Sequence, residues 1–471
     1  MENLKKLNIS DDSLISTNLI NKTYKSLQNE EILTPLEKDF LNPTDNIFVD
    51  INKNSLTSTQ NIQHQLRFFE QLKALRLINN IAYKLSKYIS EEKIKIEYTI
   101  NTQNTQKPSL FFIERLSHYL KESNLITVKF QNFMSINQVP EISLNSMKEY
   151  LRVGDSWTAK YIGEELLNII DEQEKAELYY MLAMANNTLN ETLTGENLLQ
   201  RVLKENNNER ITSAYYVLSM LYIRHHPRAF IDISKTEQFL DTAYKLLTDK
   251  NFKHDTKEFS AVFNRNGYAL VLFRKKKIKE AIKLLTEKIN TLNTIIHNEK
   301  YNYGVLHKSV LMYNLAQCYN SIGDIEKTIE TYNEVIKIDP NDPDYRYELI
   351  RILFMNEKYK EAHSMLLEIE KENLEELSIH QSLKGYYYLV IGEFTKAQKL
   401  FKEAIYFNFE KEMHDELIYN YFFTLYNKNE FNKILDLLPH LNLQKNNNYH
   451  QEIDTLINLI TDKQKVNQFA N

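Results

Sequence analysis

The sequence has 471 residues but only eight glycines and eight prolines. Soluble proteins average about 7% and 5% of these residues. Glycine supplies positive φ and lets a backbone approach a ligand closely. Folds built from turns every few residues need both types, so an all-β architecture is excluded. No glycine lies before Gly154. A phosphate-cradling GxxxxGK[ST] loop or a GxGxxG fingerprint is therefore impossible in the first third, and neither occurs later. GxSxG, HExxH and the EF-hand pattern are absent too. A single cysteine, Cys318, rules out an internal disulfide and a cysteine-based metal cluster. Charge of one sign is also lacking. Against 58 basic residues stand 63 acidic ones, a net charge of −5. That balance argues against a protein that coats nucleic acid or an anionic membrane. No uncharged apolar run approaches the roughly 18 residues of a membrane span. The opening MENLKKLNISDDS lacks a signal-peptide core. The expectation is a mainly α, cytoplasmic protein with no cofactor, no metal and no catalytic residues.

What the sequence does contain is repetition. Ser309–Asp342, SVLMYNLAQCYNSIGDIEKTIETYNEVIKIDPND, spans 34 residues, with Leu315, Ala316, Tyr319, Thr328, Tyr332, Val335 and Pro340 at spaced positions. Frames of similar length follow from Pro343 (Leu349, Leu353, Ala362, Leu366, Ile369), from Ser378 (Gly385, Tyr388, Ala397, Phe401, Ala404) and from Asp415 (Tyr421, Leu425, Ile434, Leu438). In the last of these, Pro439 is expected to end the helix early. Upstream frames start near Val262 (Tyr268, Ala269, Leu272, Ala281, Leu285), Thr212, Ala176 and Pro140. The frame from Pro140 carries Tyr150, Ala159 and Leu166, with Trp157 at its turn. The Thr212 frame holds extra residues around His226-Pro227-Arg228. Asn290–Lys308 is inserted before Ser309, either as an extension of helix B or as a loop.

The pattern resembles the tetratricopeptide repeat (TPR), with Thr328 where the family usually has alanine. Small residues let two antiparallel helices approach closely, and aromatics fill the space to the next pair. The resemblance covers about residues 140–460 and implies a right-handed α-solenoid of about eight helix pairs. Residues 1–139 would form a separate N-terminal domain and 461–471 a tail. The family implies a non-enzymatic protein that binds a peptide or protein segment in a concave groove lined by the first helix of each pair. It sets no oligomeric state.

In these frames one groove-facing position is Tyr180, Tyr216, Asn266, Tyr313, Tyr347, Ser382 and Tyr419 in successive repeats. Asn314, Gln317, Asn320, Arg351, Tyr386 and Asn420 lie beside them. Tyrosine offers apolar area with a polar tip, and an amide side chain can pair with both N–H and C=O of an extended peptide. The set reads as a peptide-binding surface for an adaptor or regulatory sensor. A second expectation is a peptide-responsive transcriptional regulator similar to the TPR receptors of Gram-positive bacteria. There Asn266, Asn314 and Asn420 would grip the peptide backbone. Residues 1–139 carry 17 Lys+Arg and 15 Asp+Glu, a net of +2 that is too balanced to mark a DNA-binding module. A third is a degenerate NTPase-type regulator that has lost its phosphate loop.

The N-terminal part has a different texture. Residues 1–45 read as short polar helices broken at Pro35 and Pro43. NIFVDI at 46–51, KIKIEYTI at 93–100 and LITVKF at 125–130 read as strands. Residues 61–90, with Leu66, Phe69, Leu72, Leu75 and Ile78, and PSLFFIERLSHYLKES at 108–123 read as helices. The β–α–β–α–β order predicts a small α/β domain with a parallel sheet, the alternative being a purely helical capping region. His225-His226-Pro227 reads as a turn insertion, Arg274–Lys277 as a solvated charge run, and Cys318 as a packed thiol.

Overall fold

KLNISD alternates apolar and polar residues, and Lys6–Asp11 forms the first strand, β1, with Ile9 turned inward at 5% exposure. This corrects the expectation of polar helices there. The structure, a computed structural model, describes residues 5–45, 47–59, 71–103, 106–132, 136–205, 207–299, 303–441 and 448–469. Residues 47–50 are irregular and 51 lies in a turn, with Phe48 and Ile51 largely exposed, so the strand expected at 46–51 is not formed over its described residues. The other two strands fall where the alternation placed them, at Lys95–Asn101 (β2) and Ile126–Gln131 (β3). All three are parallel in the order β1-β2-β3, with Ile9 beside Tyr98 and Tyr98 beside Val128.

Helices α1 (Asn18–Leu27), α2 (Pro35–Leu41), α3 (Leu56–Thr59), α4 (Gln71–Glu91) and α5 (Lys107–Tyr119) accompany this sheet. Pro35 opens α2 inside a capping box made by Thr34 and Glu37. Ile78, Ile81 and Leu85 of α4, Phe112 and Leu116 of α5, and Leu19 and Ile20 of α1 enclose the central strand. Leu66 and Phe69 lie outside the described residues.

The chain divides into two compact units, residues 1–339 and 340–471. In the first, helical hairpins follow the α/β portion: α6 (Leu144–Val153) with α7 (Ser156–Leu166), α8 (Lys175–Thr188) with α9 (Thr192–Val202), α10 (Asn208–Met220) with α11 (Ile233–Thr248), α12 (Lys257–Arg274) with α13 (Ile278–Glu299), and α14 (Tyr303–Ser321) with α15 (Ile325–Ile338). The second holds α16 (Pro343–Met355) with α17 (Tyr359–Lys371), α18 (Leu377–Val390) with α19 (Phe394–Phe407), α20 (Lys411–Asn427) with α21 (Phe431–Leu437), and α22 (Asn448–Phe469). The helix before Pro439 ends at Leu437, as its ring requires. Over its described residues the Asn290–Lys308 insert is helix, since α13 runs on to Glu299 and α14 begins at Tyr303. At His225 the extra residues form a π-helical turn over Leu221–His225.

The small residues of the repeat frames sit where helices touch. Ala159, Ala281, Ala316, Ala362 and Ala397 are fully buried. A Cβ on Gly385 would meet the Phe401 ring at 3.0 Å, tighter than ordinary contact. Thr328 fits the alanine position because its hydroxyl donates to the Asp324 carbonyl at 2.8 Å. Burial pushes the Cys318 thiol up to about 11, which leaves it an inert packing group.

The α/β portion is joined to α6 and α7 by buried polar contacts. The Asp155 carboxylate caps α7 and accepts from the Ser16 hydroxyl at 2.6 Å and the Thr158 hydroxyl at 2.6 Å. Arg152 of α6 grips both oxygens of Asp39 at 2.6 and 2.8 Å. Trp157, on the first turn of α7, packs against the sheet core.

Within most hairpins the turn places its last-but-one residue in the left-handed region. Glycine supplies it at Gly154 (φ 93°), Gly323 (φ 76°) and Gly392 (φ 80°). Asn190, Lys276, Glu357 and Asn429 adopt φ of 58–65° at the equivalent place. A side chain there costs about 1 kcal/mol relative to glycine. Glu357→Gly should therefore raise the stability of the second unit by about 0.5–1 kcal/mol, and Gly392→Ala should lower it by about 1 kcal/mol. Urea unfolding followed by circular dichroism checks both signs.

Candidate functional site

In the first unit, the first helices of successive hairpins carry the expected residues. Tyr180 on α8 is half-buried beneath Arg210, whose guanidinium carbon lies 4.7 Å from the ring centroid. Arg210 is held in turn by Glu177, donating from Nη2 at 2.9 Å. Tyr216 on α10 packs its ring 4.6 Å from that of Phe263 on α12. Burial raises both phenols well above the usual tyrosine range, so both stay neutral donors. Asn266 on α12 is buried, and its side-chain oxygen accepts from the Asn314 amide on α14 at 2.8 Å. Tyr313 meets the buried Tyr332 of α15 edge-on at 5.9 Å, and Gln317 donates to the Tyr332 hydroxyl. Asn320 is half-buried one turn further along α14.

The second unit treats its members unequally. Tyr347 is 1% exposed, which removes it from any open surface. Its hydroxyl accepts the Glu376 backbone N–H at 3.0 Å and lies 3.5 Å from His380 Nδ1. It ties α16 to the start of α18. Asn420 is also buried, at 8% exposure. Arg351 is half-exposed and bonded to Glu348 at 2.8 Å. Tyr386 is more than a third exposed and leans edge-on against Phe354 at 5.1 Å. Tyr419 stacks on Phe423 at 6.0 Å and lies 5.9 Å from Tyr449 of α22.

Of the expected residues, the structure pairs Asn266 with Asn314 and lines Tyr180 and Tyr216 along neighbouring helices. Tyr347, Asn266 and Asn420 are corrected to packing or internal positions. Sequence reasoning missed Arg210, Phe263, Tyr332, Glu416 and Tyr449. Glu416 stands three residues before Tyr419, on the same helix face. Tyr449 lies on α22, beyond the repeat frames.

Among the described residues, no group of histidines and carboxylates is spaced to hold a metal ion. His226 Nδ1 bonds the Thr192 hydroxyl at 2.9 Å, His380 Nε2 lies 3.0 Å from Glu370, and His363 stacks on Tyr387 at 3.9 Å. Burial pushes His225 down to about 4 and lowers His226, His254, His363 and His380.

The tetratricopeptide repeat family profile matches residues 309–342. The chain thus carries a tetratricopeptide repeat. Its fold is mainly α and of the TPR solenoid type, with a small N-terminal strand region. A comparison with curated proteins gives no match. Solved structures similar to this chain include a human IFIT1 dimer with PPP-AAAA, at 12% identity and a TM-score of 0.42, covering 97% of this chain and 98% of that one. Another is aspartyl phosphate phosphatase F from Bacillus subtilis, at 13% identity and 0.41, covering 87% and 95%. A third is NprR in complex with its cognate peptide NprX, at 16% identity and 0.33, covering 62% and 83%. Identities and scores this low carry no inference about ligand or role. Among the described residues, no helix is long and apolar enough to cross a membrane.

The histidine shifts fix a pH dependence. A histidine kept neutral by the fold binds its proton more readily when unfolded, so stability falls as pH drops from the ordinary 6.5 towards 4. Asp11, buried at the end of β1 and pushed up to about 6, acts oppositely and favours the fold below that value. With five lowered histidines against the three raised carboxyls of Asp11, Asp155 and Glu416, urea midpoints should decline from pH 7 to pH 4.5. Replacing His225 and His380 by glutamine should flatten that decline.

Proposed function

We propose that this TPR protein is a non-enzymatic, cytoplasmic adaptor or regulatory sensor that binds a peptide or protein segment along the first-helix faces of its hairpins. The observation that carries this reading is the face of the first unit, where the half-buried Tyr180, Tyr216 and Asn314 recur on successive first helices, with the buried Asn266 behind Asn314. Two neutral phenols give flat apolar area with donor tips. Asn314, whose amide donates to the buried Asn266, has a further N–H and its carbonyl oxygen to offer a peptide backbone. Affinity would come from the rings, and register from the amides. TPR proteins are built for this use, because the repeat leaves one helix of each hairpin facing a shared concave surface.

A displayed library of random heptapeptides selected against the full chain tests the reading. It should yield binders whose synthetic forms lose at least tenfold affinity, about 1.4 kcal/mol, on Tyr216→Ser or Asn314→Ala. Circular dichroism of both variants should match the parent. Failure to select any peptide, or affinity untouched by both substitutions, would overturn the proposal.

A further inference from the structure

A carboxylate removed from water without a partner is costly, and proteins rarely keep one unless a cation is supplied. Glu416, on the inner helix α20 of the second unit, is such a group. It is half-buried and makes no hydrogen bond or ion pair among the described residues. Burial raises its carboxyl above the ordinary range, with Arg351 on α16 pulling the other way. Arg351 is itself committed to Glu348 at 2.8 Å, so it does not satisfy Glu416.

The surroundings are aromatic. Tyr419 follows Glu416 by three residues on the same helix face. Tyr449 of α22 lies 5.9 Å from Tyr419, and its phenol lies in the field of Glu416, Tyr419, Glu452 and Tyr386. Tyr386 is held in place by Phe354 at 5.1 Å, yet is more than a third exposed. Three rings with negative faces and one unpaired carboxylate, with the local arginine already neutralised, describe a receptor for positive charge.

We propose that this face of the second unit anchors the basic side chain of a bound peptide, a lysine or arginine whose charged head meets Glu416 beside the rings of Tyr386, Tyr419 and Tyr449. The proposal rests on the peptide-binding reading above and adds the chemistry of the ligand. The occupant is committed by charge. An acidic segment would meet Glu416 and Glu452 unfavourably, and a purely apolar one would leave Glu416 buried and unpaired.

The test uses the full chain and a displayed library of random heptapeptides at pH 7.5. Selected pools should be enriched several-fold in lysine or arginine over the starting library. Glu416→Gln should abolish that enrichment and weaken a selected synthetic peptide at least tenfold. In the parent chain, replacing the peptide's basic residue by norleucine should cost a similar factor, and in Glu416→Gln it should cost little more. Glu416→Gln removes an unpaired charge, so its urea midpoint should not fall. Binders without basic enrichment, or enrichment and affinity unchanged by Glu416→Gln, would overturn this inference while leaving the peptide-binding reading in place. A library that yields no binder would overturn both.

Discussion

How closely the two helices of a hairpin approach sets the rest of the array. The approach is permitted by small residues at the crossings, among them Ala281, Ala362 and Ala397 in three hairpins, all fully buried. At α18 the residue is Gly385, and the ring of Phe401 occupies the space a Cβ would take. Close packing of this kind gains dispersion and removes apolar area from water along the whole contact. It also fixes which side chains remain for the opposite face. The proposed binding surface is therefore a by-product of the packing. Once a helix commits its small side to a partner, its tyrosines and asparagines at the other positions must either reach the groove or satisfy one another.

That dependence explains what the sequence discloses and what it conceals. The hairpins are legible because each alanine, aromatic and proline has one steric task at a fixed spacing. Pro439 could be read as a stop without knowing its neighbours, since its ring forbids the helix in any context. The first strand could not. Its six residues bury only one face, so the hydrophobic signal is short, whereas NIFVDI looks stronger and yet leaves Phe48 exposed. Strand formation depends on a partner 89 residues away, Lys6 lying opposite Lys95, which no local pattern shows.

The tyrosines show the same limit at the level of the site. Tyr216 and Tyr347 occupy equivalent places in their frames. Tyr347 is drawn into the core because Glu376 offers its hydroxyl a backbone N–H, and because His380 lies beside it. Those partners belong to the next hairpin and are invisible in the repeat pattern. Glu416 was concealed for a different reason. A glutamate on a helix is ordinarily a solvated group in a surface ion pair, and only its packing reveals that it is half-buried without one. Tyr449 lies on α22, which completes the core of the last hairpin through Ile453, Leu456 and Ile460.

The two faces differ in the state of their polar groups, and this bears on how each would engage a ligand. Asn266 and Asn314 already satisfy each other at 2.8 Å. A peptide backbone that pairs with Asn314 competes with that bond, so the net gain per bond is small. Binding there must draw on the area of the Tyr180 and Tyr216 rings. Glu416 starts from the opposite condition. Its charge is held among rings with no partner to surrender, so a cation arriving there gains the pairing without first breaking a bond. An amide pair that must be opened favours extended backbones in register but discriminates weakly among side chains. An unpaired carboxylate discriminates strongly between a basic side chain and any other. Specificity is therefore expected to reside in the second unit, and backbone geometry to be read by the first.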